Sequence, residues 1–202
     1  ERRCRKRWCP VCAPQISAKR VAKYTAAVEG MQWPLFVTLT RPNVAQLDLQ
    51  HIKGMRRAYR RMRQQRWWRN AVLGGIASLE ITNTGNGWHP HIHSIIDCRW
   101  LSKTIRPPRN VDGHKRIVAI CKSAAREVGT IWAQCLGVSR ASVHVKRAYT
   151  RRTTPTIPNN NDSIAVEVLK YSVKAADLVE CAEPIGDLLR LLGAARLVSS
   201  WG

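Results

Sequence analysis

Gly87-Trp88-His89-Pro90-His91-Ile92-His93-Ser94-Ile95-Ile96 is the stretch on which the fold turns. Half of the chain's six histidines stand at positions 89, 91 and 93, and an apolar run follows directly. Read as a strand over 91–96, the side chains alternate between faces, so His91 and His93 project together while Ile92 turns to a core. Two imidazoles on one rigid strand face are a natural pair of metal ligands. A lone His-x-His is more often two surface histidines, so the rest of the chain has to decide.

Immediately upstream, Ile76 to Asn83 alternates as a second strand, and Thr84-Gly85-Asn86-Gly87 supplies turn residues between the two. The pair is expected to form a β-hairpin. If Asn83 pairs with Trp88, Glu80 lies directly opposite His91 on the same face, and a one-residue slip would send it to the other side. In the favourable register the site is an open pair of histidines with one carboxylate. His89 is the competing third ligand, although Pro90 should bend that end of the strand.

Charge narrows the class of partner. The chain has 202 residues, with 34 Lys and Arg against 13 Asp and Glu, a net charge of +21. A chain this basic repels itself unless it meets a polyanion, and nucleic acid is the first candidate. No apolar run reaches transmembrane length, so no membrane partner is expected. Eight tryptophans beside one phenylalanine supply flat rings for a core and for stacking on unpaired bases.

Three of the seven cysteines fall in Cys4-x4-Cys9-Pro10-Val11-Cys12. The spacing reads as a zinc knuckle in a reducing cytoplasm, with Cys4, Cys9 and Cys12 as ligands and Cys98, Cys181 or a residue upstream of Glu1 as a fourth. No signal or lipidation motif is visible, and since the chain opens on Glu1 rather than Met, residues upstream are expected. The organisation expected is a basic Cys-rich segment over 1–30, with a helix from Gln15 to Glu29, followed by one domain over 31–202.

Leu35-Phe36-Val37-Thr38-Leu39-Thr40 reads as a further strand. Leu47 to Arg69 reads as one helix with an apolar stripe at Leu49, Ile52, Met55, Tyr59 and Met62. Its other positions hold eight cations from Lys53 onward against one acid, Asp48, at its start, which suits phosphate contact, with Arg56, Arg60 and Arg63 as candidates. Beyond a Pro- and Arg-rich loop, Ile117 to Leu136 reads as an amphipathic helix and Ser142 to Val145 as a short strand. Arg151 to Asp162 reads as a loop, and Leu189 to Trp201 as a closing helix and strand.

A helix is expected from Ser163 to about Leu178. It buries Val166, Leu169, Val173 and Ala176 and carries Glu167, Tyr171 and Lys174 at i, i+4 and i+7 on an adjacent face. A tyrosinate can attack a phosphodiester, a nearby lysine favours the ionised phenol, and a carboxylate can serve a second attacker as general base. An ordinary amphipathic helix with an exposed Glu–Lys pair has the same pattern.

Taken together, four stretches resemble the replication initiator (Rep) proteins of rolling-circle plasmids, a branch of the His-hydrophobic-His ("HUH") single-strand endonucleases. They are the cysteine cluster, Phe36-Val37-Thr38-Leu39-Thr40, His89-Pro90-His91-Ile92-His93, and Glu167-x2-Lys170-Tyr171-x2-Lys174. The resemblance implies an α+β fold with a central antiparallel sheet, flanking helices and a metal site on the sheet face. It implies Mg²⁺ or Mn²⁺ on His91 and His93, with Glu80 as third ligand. Tyr171 would nick one DNA strand at a plasmid's double-strand origin, single-stranded or extruded as a hairpin. Glu167 would activate water for the terminating cleavage, and Lys170 would join the arginines in binding DNA. A host helicase and a bacterial or archaeal cytoplasm follow from the same resemblance. A transposase of the same superfamily, a zinc-containing DNA-binding module without chemistry, and a two-His-one-carboxylate iron oxygenase are the alternatives. The lone tyrosine on the 163–178 helix favours the initiator over the transposase, and the net charge disfavours the oxygenase.

Overall fold

Gly85 and Gly87, with φ of 90° and 86°, take a backbone conformation that side chains rarely adopt and so reverse the chain between two long strands. Asn83 Oδ1 accepts from the Gly85 N–H at 3.1 Å, and Asn43 Nδ2 donates to the Asn86 carbonyl at 2.9 Å, holding the turn from both sides. A computed structural model describes residues 4, 9, 11–83, 85–99, 113–148 and 198–202. In it the strands are β2 (Val72–Asn83) and β3 (Trp88–Cys98), paired antiparallel with Asn83 opposite Trp88 and Glu80 opposite His91.

The fold is α+β, as the resemblance implies. In chain order the described elements are α1 (Cys12–Glu29), β1 (Pro34–Thr40), α2 (Leu49–Gln64), α3 (Arg66–Ala71), β2, β3, α4 (Gly113–Leu136), β4 (Val143–Arg147) and β5 (Val198–Trp201). The five strands form one antiparallel sheet in the order β4-β1-β3-β2-β5. None of the described helices is long and apolar enough to cross a membrane.

Strand alternation sorts the side chains into two layers. Leu35, Val37, Leu39, Ala77, Leu79, Ile92, Ile96, Val143 and Val145 share one face and pack against Ile52, Met55, Ala58, Tyr59 and Met62 of α2 and Val128 and Trp132 of α4. Each fully buried aliphatic chain contributes on the order of 1.5–3 kcal/mol. Tyr59 places its hydroxyl 2.9 Å from Ser94 Oγ, and Ser94 Oγ donates to the Ile76 carbonyl at 3.1 Å, so the polar pair inside this layer is satisfied. On the opposite face Val28 of α1 and Met31 pack on Ile76 and Ile95, with Val21, Tyr24 and Phe36 at the margin.

Several boundaries differ from the sequence reading. The expected 47–69 helix breaks at Gln65, whose φ of −59° and ψ of 141° are extended. Continuing the stripe from Met62 would bring Arg66 and Arg69 onto the buried face; the break resets the phase and buries Trp68 instead, 3% exposed. The N-terminal helix starts at Cys12 rather than Gln15, α4 at Gly113 rather than Ile117, and β2 four residues before Ile76. Of the closing segment, β5 alone falls among the described residues. The expected 163–178 helix, with Glu167, Lys170, Tyr171 and Lys174, lies outside them.

Candidate metal centre and basic surfaces

The centre is a product of register. In an antiparallel pair, residues directly opposite share a face. Thr40, His91 and Glu80 therefore form one row across β1, β3 and β2, and Thr38, His93 and Ser78 form the next. Both rows lie on the α1 face of the sheet, beyond the apolar patch of Ile76 and Ile95. Glu80 Oε2 lies 2.5 Å from His91 Nε2 and 2.8 Å from His93 Nε2. All three side chains are buried.

The hydrogen bonds orient the cluster. His91 Nδ1 lies 3.0 Å from the carbonyl of His89, which can only accept, so the proton sits on Nδ1. In neutral His91 the Nε2 lone pair then points at a carboxylate oxygen, an arrangement that requires a cation or a shared proton between them. His93 Nδ1 lies 3.2 Å from Thr38 Oγ1, and the His93 ring packs on Phe36 with centroids 5.5 Å apart. Burial would raise the Glu80 carboxyl, but the hydrogen bonds from His91 and His93 outweigh it and hold the group below its ordinary value. That favours the carboxylate, the form in which Glu80 could ligate a metal. The donor atoms of the three residues all lie within 4.8 Å of one another, so the set could close on one metal ion.

Of the two candidate third ligands, Glu80 joins the set. His89 gives its backbone carbonyl to orient His91, and burial, then the charge of His91, hold its imidazole below its ordinary value. Thr38, read from the sequence only as part of a strand, stands beside this set through its contact with His93 Nδ1. The signal for it was its place opposite His93, visible only once β1 and β3 are paired.

Cys4, Cys9 and Cys12 form a second possible metal set, with donor sulfurs within 4.8 Å of one another and Cys4 Sγ 3.7 Å from Cys12 Sγ. The Cys12 N–H at the start of α1, then the Cys4 thiol, hold the Cys9 thiol below its ordinary value, which favours the ligating thiolate. Cys98 does not belong here, because it is fully buried in the core on the other side of the sheet. Cys181 lies outside the described residues.

The arginines of α2 are on the opposite face from the histidines, since α2 packs on the layer of Ile92 and Leu79. Arg56 and Arg60 are exposed. Arg63 is half-buried and stacks its guanidinium 4.2 Å from the Trp201 ring. Tyr59, the tyrosine of α2, is buried on that same face with its phenol pushed well up by burial, so it cannot serve chemistry at the centre.

Comparison with known proteins bears on the same segments. Residues 1–99, which contain the cysteine set, Thr38 and the whole Glu80–His91–His93 centre, match a family model described as "Replication protein". A "Protein rep" of Staphylococcus aureus is 26% identical over 184 residues, covering 86% of this chain and 70% of that protein. A "Protein rep" of a Bacillus species is 34% identical over 105 residues, covering 48% of this chain and 34% of that one. A third, from Bacillus amyloliquefaciens, is 26% identical and covers 98% of this chain and 61% of its own length. No solved structure matches significantly. These matches bear out the resemblance to the replication initiator (Rep) proteins of rolling-circle plasmids.

Proposed function

We propose that the chain initiates rolling-circle plasmid replication by nicking one DNA strand through a 5′-phosphotyrosine intermediate. The observation that carries this reading is the convergence of His91 Nε2 and His93 Nε2 on one oxygen of Glu80, on the face of a strongly basic protein. Glu80, His91 and His93 would hold the divalent ion. Two imidazoles with one carboxylate suit Mn²⁺ better than Mg²⁺, which prefers an all-oxygen shell. Such an ion, when bound, polarises the phosphoryl oxygen.

Tyr171 is the proposed nucleophile. Its phenolate oxygen bonds to the scissile phosphorus while the bond from phosphorus to the 3′ oxygen breaks, leaving a 3′-hydroxyl for synthesis. Lys174 favours the phenolate and the charge on phosphorus. For termination, Glu167 takes a proton from water as the water oxygen attacks the phosphorus of the regenerated nick site and its bond to the 3′ oxygen breaks. The 3′-hydroxyl so freed then displaces Tyr171 from the first 5′-phosphate, joining the strand and releasing the protein. Lys170, Arg56, Arg60 and Arg63 supply phosphate contacts. In this reading 1–30 is a zinc-bearing segment on Cys4, Cys9 and Cys12, 31–202 is the nicking domain, and a host helicase is the partner after the nick.

The test uses labelled single-stranded oligonucleotides with Mn²⁺ on a denaturing protein gel. A covalent protein–DNA band that needs metal and vanishes in Tyr171→Phe supports the reading. A band that survives Tyr171→Phe moves the nucleophile to Tyr24 or Tyr149. Tight binding with no band on any oligonucleotide leaves a DNA-binding module without chemistry.

A further inference from the structure

Behind the sheet, between α2 and the end of α4, lies a cleft of about 550 Å³. Arg41, at the end of β1, and Arg57, Arg60 and Arg61 of α2 all line it, with His51 and Gly54. Among the described residues no carboxylate lines it. Asp48, the nearest acid in sequence, is occupied at the α2 N-cap, where its carboxylate accepts from the His51 N–H at 2.7 Å. The arginines are placed rather than loose. A Cβ on Gly54 would stand 3.6 Å from Arg41 Nη1, so the guanidinium lies against bare helix backbone. Arg61 Nη2 donates to the Cys135 carbonyl at 2.5 Å, anchoring α2 to α4.

Four guanidiniums from two elements, facing no acid among the described residues, repel one another until an anion enters. Among the described residues no Trp, Tyr or Phe ring lines the cleft, and the one imidazole, His51, is paired with Asp48, whereas single-strand sites pair their cations with stacking platforms. A straight helix instead offers Arg57 and Arg61 one turn apart, a rise of about 6 Å, suited to successive phosphates of a rigid backbone. Arg41 directly follows Thr40, which shares its row with His91 and Glu80. The cleft and the metal centre therefore lie at the same end of the sheet, on opposite faces.

We propose that Arg41, Arg57, Arg60 and Arg61 form a second DNA site, a phosphate-binding cleft that holds the duplex flanking the strand to be cut. This rests on the replication reading only in taking DNA as the polyanion. One continuous DNA then passes over the end of the sheet, duplex behind and cut strand in front.

The test reads binding alone, by fluorescence anisotropy against salt, with a duplex of about 30 base pairs and a single strand of the same length. Wild type is compared with Arg41→Gln/Arg57→Gln and with Lys19→Gln/Lys23→Gln, which removes the same charge from α1. The cleft variant is expected to bind duplex about tenfold more weakly, with a log–log salt slope shallower by about 1.8, two phosphate contacts. Its single-strand affinity and the control's duplex slope should stay near wild type. Arg57→Gln alone, at an exposed position, repeats the test with a slope shallower by about 0.9 if Arg41→Gln lowers the melting temperature. An unchanged duplex slope, an equal loss on single strand, or an equal loss in the control would overturn the cleft. Because no cleavage is read, failure to form a covalent adduct would count against Tyr171 and not against this site.

Discussion

Glu80 and His91 stand directly opposite each other on β2 and β3, with Glu80 Oε2 2.5 Å from His91 Nε2. The pairing exists because the ten hairpin residues between them, turning through two positive-φ glycines, bring position 80 to position 91 on one face. A shift of one residue in either strand would separate them.

Thr38 tests the support of that pair from the neighbouring strand. Its hydroxyl orients His93 through Nδ1. Thr38→Val keeps the shape and the strand preference and removes the hydrogen bond. Mn²⁺ affinity, measured by calorimetry, should fall about tenfold while the melting temperature stays close to wild type. An unchanged affinity would mean that packing on Phe36 alone fixes the ring.

Gly75 tests how β5 is seated. A Cβ there would lie 2.6 Å from the Ile95 carbonyl and 2.6 Å from the Trp201 ring, and the backbone contact leaves no easy relief. Trp201 in turn packs on Tyr59 and Trp68. Gly75→Ala should cost about 1–3 kcal/mol by urea denaturation. A neutral result would show that β5 can leave the sheet without loss.

Much of this was legible in the sequence, and the reasons differ by element. The hairpin and its register could be read because turn residues and alternation are local signals. The break at Gln65 left a trace too, in Arg66 and Arg69 falling on the stripe that Met62 would extend. Thr38 was not legible, because its role depends on β1 pairing with β3, a contact between positions 38 and 93. Nor was the face that α2 covers, which decides that its arginines and the histidines point to opposite sides. The expected roles of Glu167, Lys170, Tyr171 and Lys174 rest on the sequence alone.

Asp48 gives a pH dependence whose sign can be worked out. The His51 backbone N–H holds its carboxyl below the ordinary 3.8. Its stabilisation is thus fully present above that value and is lost as pH falls through the folded value. Wild type should melt higher than Asp48→Asn at about pH 6, and the two should converge at about pH 2. A gap that persists in acid would assign the effect to something other than the charge.

The cysteine set makes a separate claim. Purified protein should carry about one Zn²⁺ per chain, and Cys9→Ser or Cys12→Ser should lose it. Cobalt in its place should give a thiolate charge-transfer band. Full zinc content in Cys9→Ser would remove Cys9 from the set.

The most direct test of the account is Mn²⁺ binding followed by electron paramagnetic resonance, with no nucleic acid present. Wild type should bind one ion at the Glu80–His91–His93 centre, so that the free-ion signal is lost up to about one equivalent. In His91→Ala/His93→Ala the signal should remain from the first addition. Equal binding by the two proteins would contradict the assignment of these residues as the metal centre, and with it the chemistry proposed there.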